Sequence, residues 1–334
     1  MKMRLERLEN GNVRVGIPVP FPMKYVYCYL MKNDSGYTMV DTGFHYSKAT
    51  QAWEEIFNKL RLAPGDIHTI VLTHFHPDHS GLAGWMQAKT GANVWMSEVD
   101  LKMMQLAFGE GEDQKRQVEK LLTDHGVPSR LREEIHINLQ KVKRHVQPLP
   151  KVNALNQDNI ILDNRTWEVI ETPGHSEGHL CFYEKKEKIL LAGDMILDKI
   201  TPNISLWPGG SKYPLYDYLN SLKKLEQLPI KEAWPGHGEI IYHVPQRLAT
   251  LIHHHKDRLE KISLLATNKS GFEITSELFK DRELNPHQWR FAISETLAHL
   301  EYLVEKQIVK NVDSGPVLYT TRTHFISNWM GYKS

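Results

Sequence analysis

Cysteine and long hydrophobic runs are scarce in this sequence. Cys28 and Cys181 are its two cysteines among 334 residues, too few for a disulfide framework or a Cys-x-x-Cys site. No stretch approaches the roughly 18 consecutive apolar residues that a membrane span requires. The first ten residues, MKMRLERLEN, lack the apolar core of a secretory signal. The sequence therefore predicts a cytoplasmic protein with no membrane partner.

Net charge is also nearly absent. The 41 lysine and arginine residues almost balance the 40 aspartate and glutamate residues, so the formal net charge is +1. Strong non-specific attraction to nucleic acid or to an anionic membrane is therefore not expected, although a local basic patch stays open. Histidine, by contrast, is abundant, with 18 residues. Because imidazole is the commonest neutral metal ligand, the spacing of these histidines matters most.

Strand and helix patterns alternate through residues 1–245, where β-branched and aromatic runs predict strands and amphipathic segments predict helices. Residues from about 98 to 150 are charged and poor in strand patterns, so they predict a helical insertion. Residues 246–334 start with a long helical pattern and continue as helix, turn, helix and a hairpin from Val309 to Thr321. That order favours a linker helix followed by a small winged-helix domain.

A dense group of metal-ligand side chains follows the predicted buried strand His68–Thr73. His74, His76, Asp78 and His79 form the pattern His-x-His-x-Asp-His, which chance would produce in roughly a few of a thousand such chains. Imidazole and carboxylate are ligands for zinc and similar ions. A loop leaving the strand can turn the first two histidines toward one ion. The next turn, at the start of a helix, can direct Asp78 and His79 toward a second ion.

Three later segments each place a further candidate ligand after a predicted strand and beside glycine. They are His175 in Thr-Pro-Gly-His, Asp194 in Ala-Gly-Asp and His237 in Pro-Gly-His-Gly. Glycine lets the backbone turn tightly and approach an ion closely, and strand-end loops are where sites are usually built. Taken singly, each residue would be interpreted as structural. Together with the first motif they offer seven ligands, more than the four of a closed structural zinc site.

The order of these motifs resembles that of the metallo-β-lactamase superfamily, which also has a counterpart of Asp41-Thr-Gly43. The resemblance covers about residues 10 to 245 and implies an α+β fold, an αββα sandwich, for the catalytic domain. It implies two metal ions, with Asp41 behind the ligands to orient an imidazole; the alternative for Asp41 is a plain turn residue. The implied ligands are His74, His76 and His175 for one ion, Asp78, His79 and His237 for the other, and Asp194 as the bridge.

The chemistry implied by this resemblance is hydrolysis with two divalent ions, zinc being expected and manganese or iron the alternatives. Such ions lower the pKa of a bridging water from about 15.7 toward about 7, and the resulting hydroxide attacks a carbonyl or phosphoryl centre. Asp194 and Asp78 are the candidate catalytic residues, and Asp78 is expected to relay a proton to the leaving group. Residues 73–81 and 172–178 are most similar to the glyoxalase II-like branch, so a small ester or thioester is the expected substrate.

Two other activities stay open. The long span between His79 and His175 departs from the glyoxalase II-like branch. The C-terminal domain resembles the winged-helix module of a subgroup that includes a single-strand RNA endonuclease, so an RNA endonuclease or other phosphodiesterase is one alternative. A mononuclear-iron persulfide dioxygenase, which resembles the same motifs but uses only the His/His/Asp half, is another. The expected partner is a small-molecule substrate; nucleic acid is less favoured, and a homodimer stays open.

Overall fold

The structure is a computed structural model that describes residues 4–313 and 315–322. The chain divides into two compact units, each made from separate stretches of sequence. The first unit comprises Met1–Glu110, Gln140–Pro202 and Asn220–Leu248, and the second comprises Gly111–Leu139, Asn203–Leu219 and Ala249–Ser334. The predicted domain boundary near residue 245 stays a prediction, and the last twelve residues of the predicted C-terminal domain lie outside the described residues.

A seven-stranded sheet organises the first unit, with its strands in chain order from one edge to the other. The first four strands pair antiparallel, and the fourth to the seventh pair parallel. These strands are β1 Arg4–Arg7, β2 Val13–Pro18, β3 Tyr25–Asn33, β4 Gly36–Val40, β5 Ile67–Val71, β6 Asn93–Met96 and β7 Val152–Ala154.

A second sheet of five strands belongs to the same unit and has the order β12-β11-β10-β9-β8. The pair β11–β12 is parallel and the other pairs are antiparallel. Consequently β9, β11 and β12 all run in the same direction. The strands are β8 Asn159–Leu162, β9 Arg165–Glu171, β10 Leu180–Glu184, β11 Ile189–Gly193 and β12 Glu232–Pro235.

Some helices connect the strands of the first unit, and others belong to the second unit. The α-helices are α1 Ser47–Leu60, α2 Pro77–Ser80, α3 Ala83–Thr90, α4 Glu98–Phe108, α5 Asp113–Asp124, α6 Ser129–Arg144, α7 Pro214–Glu226, α8 Val244–Leu265, α9 Gly271–Leu278 and α10 Pro286–Glu305. Three of them, α4 to α6, fill the segment between β6 and β7 for which the sequence predicts a helical insertion. No described helix is both long enough and apolar enough to span a bilayer.

Alternation along β3 shows how the sequence builds the sandwich. Tyr25, Tyr27 and Tyr29 belong to one apolar core, which also contains side chains from the second sheet such as Trp167. The intervening residues of β3 belong to another core, which also contains Trp53 from α1. Because successive side chains of a strand point to opposite faces, the first sheet is covered by the second sheet on one face and by helices on the other. The mixed α/β sandwich expected from the sequence is confirmed.

The C-terminal part of the second unit contains a small antiparallel sheet of order β13-β15-β14. Its strands are β13 Thr267–Ser270, β14 Val309–Asp313 and β15 Val317–Thr321. The side chains of Ser270 and Asn285 cap α9 and α10 in reciprocal capping boxes, which satisfy backbone donors at both helix starts. Because β14 pairs antiparallel with β15, the predicted hairpin between Val309 and Thr321 is present. Ser314 lies outside the described residues.

Candidate metal centre

Every candidate ligand lies just beyond the carboxyl end of a strand, either in the strand-end loop or in the short helix α2 that continues it. Asp41 follows β4, the His-x-His-x-Asp-His motif follows β5, and the later candidates follow β9, β11 and β12. Because these strands run in one direction within each sheet, their carboxyl ends meet at one edge of the sandwich. Pro77 opens α2 at its first position, which places Asp78 and His79 in a helical turn directly after His76.

One group of ligand atoms comes from His74, His76 and His175. Their nitrogens lie within 4.8 Å of one another, and His76 Nδ1 is 3.0 Å from His175 Nε2. His74 is fully buried, whereas His76 and His175 are partly buried. This is the triad expected to hold the first metal ion.

A second group comes from Asp78, His79 and His237, whose ligand atoms also lie within 4.8 Å of one another. His237 Nε2 is 3.2 Å from Asp78 Oδ2. Asp194 lies between the two groups, since its carboxylate oxygens are 3.3 Å from His79 Nε2 and 3.6 Å from His175 Nε2. The structure therefore brings all seven candidate ligands together.

Hydrogen bonds behind the ligands determine which nitrogen each imidazole presents. His79 Nδ1 donates to Asp41 Oδ2 at 2.8 Å, and His237 Nδ1 donates to the Tyr25 carbonyl at 2.8 Å. Thr73 Oγ1 donates to Asp41 Oδ2 at 2.8 Å and accepts from His74 Nδ1 at 2.9 Å. Asp41 therefore supports one ligand of each group, His79 directly and His74 through Thr73. Since the Nδ1 atoms of His74, His79 and His237 are all used in these hydrogen bonds, their Nε2 atoms stay available as metal ligands.

The charge state of the site suits cations. Burial lowers the pKa of His74 and of His76, which keeps both imidazoles neutral. Burial alone would raise the pKa of Asp78 and of Asp194, but histidine neighbours, above all His237, hold both values below the ordinary range. Asp78 and Asp194 thus stay ionised near the neutral imidazoles of His74 and His76. Burial disfavours a charge on His79 and on His237, but the neighbouring carboxylates, above all Asp194, outweigh it and raise the pKa of both.

A buried nitrogen without a partner tests whether these residues fit a metal ion. His74 Nε2 is buried and has no hydrogen-bond partner among the described residues. A buried polar atom left unpaired is costly, so a ligand is expected there. The set of imidazoles and carboxylates matches the preferences of zinc and related divalent ions. The residues therefore fit a divalent metal site.

The structure adds two residues to this centre, His179 and Gly236, which the sequence analysis did not identify as supports of the ligands. His179 Nδ1 donates to Thr172 Oγ1 at 2.9 Å, and its Nε2 accepts from the backbone N–H of Asp194 at 3.1 Å. His179 is thus a support for Asp194. Gly236 has no side chain where Asp194 and His79 approach: a Cβ there would overlap Asp194 Oδ1 and lie 2.5 Å from His79 Cε1.

Comparison with known families matches both parts of the chain. The pattern described as "Metallo-beta-lactamase superfamily" matches residues 22–237, and that described as "Metallo-beta-lactamase-like, C-terminal domain" matches residues 259–321. The first match covers well over half of the sequence. The chain belongs to the metallo-β-lactamase superfamily, and the prediction of a hydrolase of this superfamily is confirmed.

Two similar proteins match the chain over nearly its whole length, and a third matches about four-fifths of it. "Probable metallo-hydrolase YqjP" of Bacillus subtilis is 27% identical over 329 residues, covering 92% of this chain and 96% of the relative. A metallo-β-lactamase family protein from Thermus thermophilus is 35% identical with a TM-score of 0.82, covering 93% of this chain and 99% of that one. An "Atrochrysone carboxyl ACP thioesterase" of Aspergillus fumigatus is 23% identical, covering 79% of this chain and 64% of the relative.

Proposed function

We propose that this chain cleaves a small ester or thioester with two divalent metal ions, zinc being the expected metal. The observation that carries the proposal is the pair of ligand groups with Asp194 between them. In this assignment His74, His76 and His175 hold one ion. Asp78, His79 and His237 hold the other, and Asp194 contacts both. Ions held there would supply Lewis acidity and lower the pKa of water from about 15.7 toward about 7.

The protein residues have separate tasks in this proposal. Asp41 holds the imidazole of His79 and, through Thr73, that of His74, which leaves their Nε2 atoms available to hold a metal ion. The Tyr25 carbonyl does the same for His237. Asp78 is the better candidate to pass a proton to the leaving group, because its side chain is 15% exposed whereas that of Asp194 is 8% exposed.

The ester or thioester class rests on two resemblances. One is the likeness of residues 73–81 and 172–178 to the glyoxalase II-like branch. The other is the Aspergillus fumigatus relative, whose printed name is that of a thioesterase. Hydrolysis of an ester or thioester needs a polarised carbonyl and a hydroxide nucleophile derived from water. Divalent ions held by these residues would supply the Lewis acidity for both. A small-molecule acyl substrate, rather than nucleic acid, is therefore the proposed partner.

The C-terminal elements support a winged-helix assignment for residues 249–322. Their order is helix, strand, two helices and a two-stranded hairpin, with β13 completing the sheet beside β15. In this assignment α10 supplies apolar side chains to the interior of the module, where Ile293, Leu297 and Leu300 are buried. The role proposed for the module is packing rather than nucleic-acid contact, because acidic residues dilute its basic ones.

Metal analysis combined with a substrate panel tests the proposed function. Purified protein should contain two zinc or manganese ions per chain and hydrolyse thioesters or esters in preference to phosphodiesters and RNA. One iron per chain with oxygen consumption would contradict the proposal and support the dioxygenase alternative. RNA cleavage with binding that weakens steeply with salt would support the endonuclease alternative instead. For the bridge, Asp194→Ala should lose activity; activity retained with full metal content would contradict the bridging role.

A further inference from the structure

A buried carboxylate in α4 connects the two loops that carry the first group of ligands. Asp100 is fully buried in the first turn of this helix. Its Oδ2 accepts from the backbone N–H of Phe75 at 3.0 Å and from Ser176 Oγ at 2.7 Å, and its Oδ1 accepts from the backbone N–H of Gly178 at 2.7 Å. Phe75 lies between His74 and His76 in the chain.

These contacts are not those of an ordinary helix cap. Ser97 caps α4 by accepting from the Asp100 N–H at 3.1 Å. In a capping box the acidic side chain at the third helical position returns to the N–H of the capping residue. Asp100 occupies that position but bonds instead to residues far along the chain, 25 positions away at Phe75 and 76 positions away at Ser176. The carboxylate is therefore used to hold loops together.

We infer that Asp100 is a positioning residue for the first metal ion, setting the loop of His74 and His76 against the loop of His175. This inference rests on the two-metal site of the proposed function. The three histidines come from two separate strand ends, and Asp100 is the side chain seen to bond both loops at once. Buried groups behind metal ligands set ligand geometry and affinity even without touching the ion.

Ionisation of Asp100 matters because all of its partners are donors. A carboxylate can accept from all three at once, whereas a neutral amide offers one acceptor and one donor group. The Ser176 hydroxyl can rotate and accept, but the N–H groups of Phe75 and Gly178 cannot reverse. Burial raises the pKa of Asp100 to about 6, against which its three hydrogen bonds act, so the carboxylate stays ionised at neutral pH.

Asp100→Asn is the variant that tests the inference. Whichever way the amide is turned, one of the two backbone N–H groups faces its NH2 group and loses its acceptor. The size of the side chain hardly changes, so the defect is in hydrogen bonding rather than in packing. Glu98→Gln is the matched control, because Glu98 lies in the same helical turn but is exposed and pairs with Lys102.

The zinc affinity is measured by competition with a chromogenic chelator. Each variant is tested in two proteins, each of which already lacks one ligand of one group. His237→Ala keeps the first group of ligands intact, and His76→Ala keeps the second group intact. Asp100→Asn should weaken zinc binding roughly 10–100-fold in the His237→Ala background and leave it within about twofold in the His76→Ala background. Glu98→Gln should change neither.

Each outcome decides the question. Equal weakening in both backgrounds, or none in either, would overturn the positioning role, since a general structural defect does not distinguish the two ions. If Asp100→Asn does not fold, Ser176→Ala takes its place, because it removes one of the three hydrogen bonds. It should weaken zinc binding in the His237→Ala protein more than in the His76→Ala protein, by a smaller factor than Asp100→Asn would. Equal zinc affinities of Ser176→Ala in the two proteins would also overturn the inference. Failure of the unmodified protein to take up two zinc ions would instead contradict the proposed function.

Discussion

Asp41 Oδ2 lies 2.8 Å from His79 Nδ1, and both side chains are almost completely buried. The same carboxylate accepts from both the N–H and the hydroxyl of Thr73. Asp41 has a positive φ of 60°, a left-handed conformation in which Asp and Asn are the commonest residues after glycine. The position therefore needs both a residue that tolerates the left-handed backbone and a negative charge. A substitution can remove the charge while keeping the backbone conformation.

Asp41→Asn should keep the backbone and remove the charge. Asparagine adopts the left-handed conformation readily, but its NH2 group faces a donor, either His79 Nδ1 or Thr73. We expect metal affinity to fall roughly 10–100-fold and kcat/KM to fall with it, because His79 loses its orientation directly and His74 loses it through Thr73. Metal titration of the purified variant measures this. Asp158→Asn, at an exposed aspartate, is the control and should behave like the unmodified protein.

Gly236→Ala should disable the centre without unfolding the chain. The added Cβ would overlap Asp194 Oδ1 and crowd His79 Cε1, so the carboxylate has to move away from its neighbours. A displacement of about 1 Å at a reacting centre can reduce the rate about 100-fold. Gly65→Ala is the matched control, because a Cβ there meets no atom within 4 Å. Equal activity of the two variants would show that the close approach at Gly236 is unimportant.

Much of the sandwich and its ligand set could be predicted because both follow from local patterns. The period-two alternation of β3 is visible in the sequence, as are the strand-end positions of His74 and Asp194. A ligand motif of six residues needs no long-range information to be recognised. Parallel strands then bring such ends together at one edge.

The sequence predicts Asp41 as a support behind the ligands, but Asp100 and Gly236 could not be predicted in the same way. Asp100 lies in a segment interpreted as an insertion, and an acidic residue in a first helical turn usually indicates a cap. Its partners Phe75 and Ser176 are distant in the chain, so only the folded structure shows the contact. The tertiary role of Gly236 is hidden for the same reason, since its short approach to Asp194 depends on two different strands.

Chelation of the metal should lower the stability of the first unit. An ion that binds only the folded chain stabilises it by about 2.7 kcal/mol when its free concentration is 100 times Kd. Guanidinium unfolding with and without a chelator measures the difference, and added zinc should restore it. His74→Ala should lose much of this response, whereas His253→Ala should retain it, because His253 is largely exposed and outside the centre. A response in His74→Ala equal to that of His253→Ala would argue against His74 as a ligand.

A buried histidine pair should make the second unit sensitive to acid. His299 is fully buried; its Nδ1 donates to the Glu295 carbonyl at 2.7 Å, and its Nε2 lies 3.1 Å from His255 Nδ1. Burial lowers the pKa of His299 from 6.5 to about 3 in the folded chain. Because the folded pKa is the lower one, the unfolded chain binds the proton first. Stability is therefore complete above about pH 6.5 and is lost as the pH falls toward 3.

His299→Gln should flatten this pH dependence. Linkage between the two pKa values of His299 makes the unmodified protein about 2 kcal/mol less stable at pH 5 than at pH 8 from this side chain alone. The variant removes that loss, although it is less stable at pH 8 because glutamine does not reproduce both contacts of the imidazole. The measurement is the free energy of unfolding from pH 5 to pH 8 in the presence of a metal chelator, which removes the titration of metal binding. His253→Gln, at an exposed histidine, is the control and should leave the pH dependence of the free energy of unfolding unchanged. If His299→Gln also leaves this pH dependence unchanged, His299 does not titrate as described.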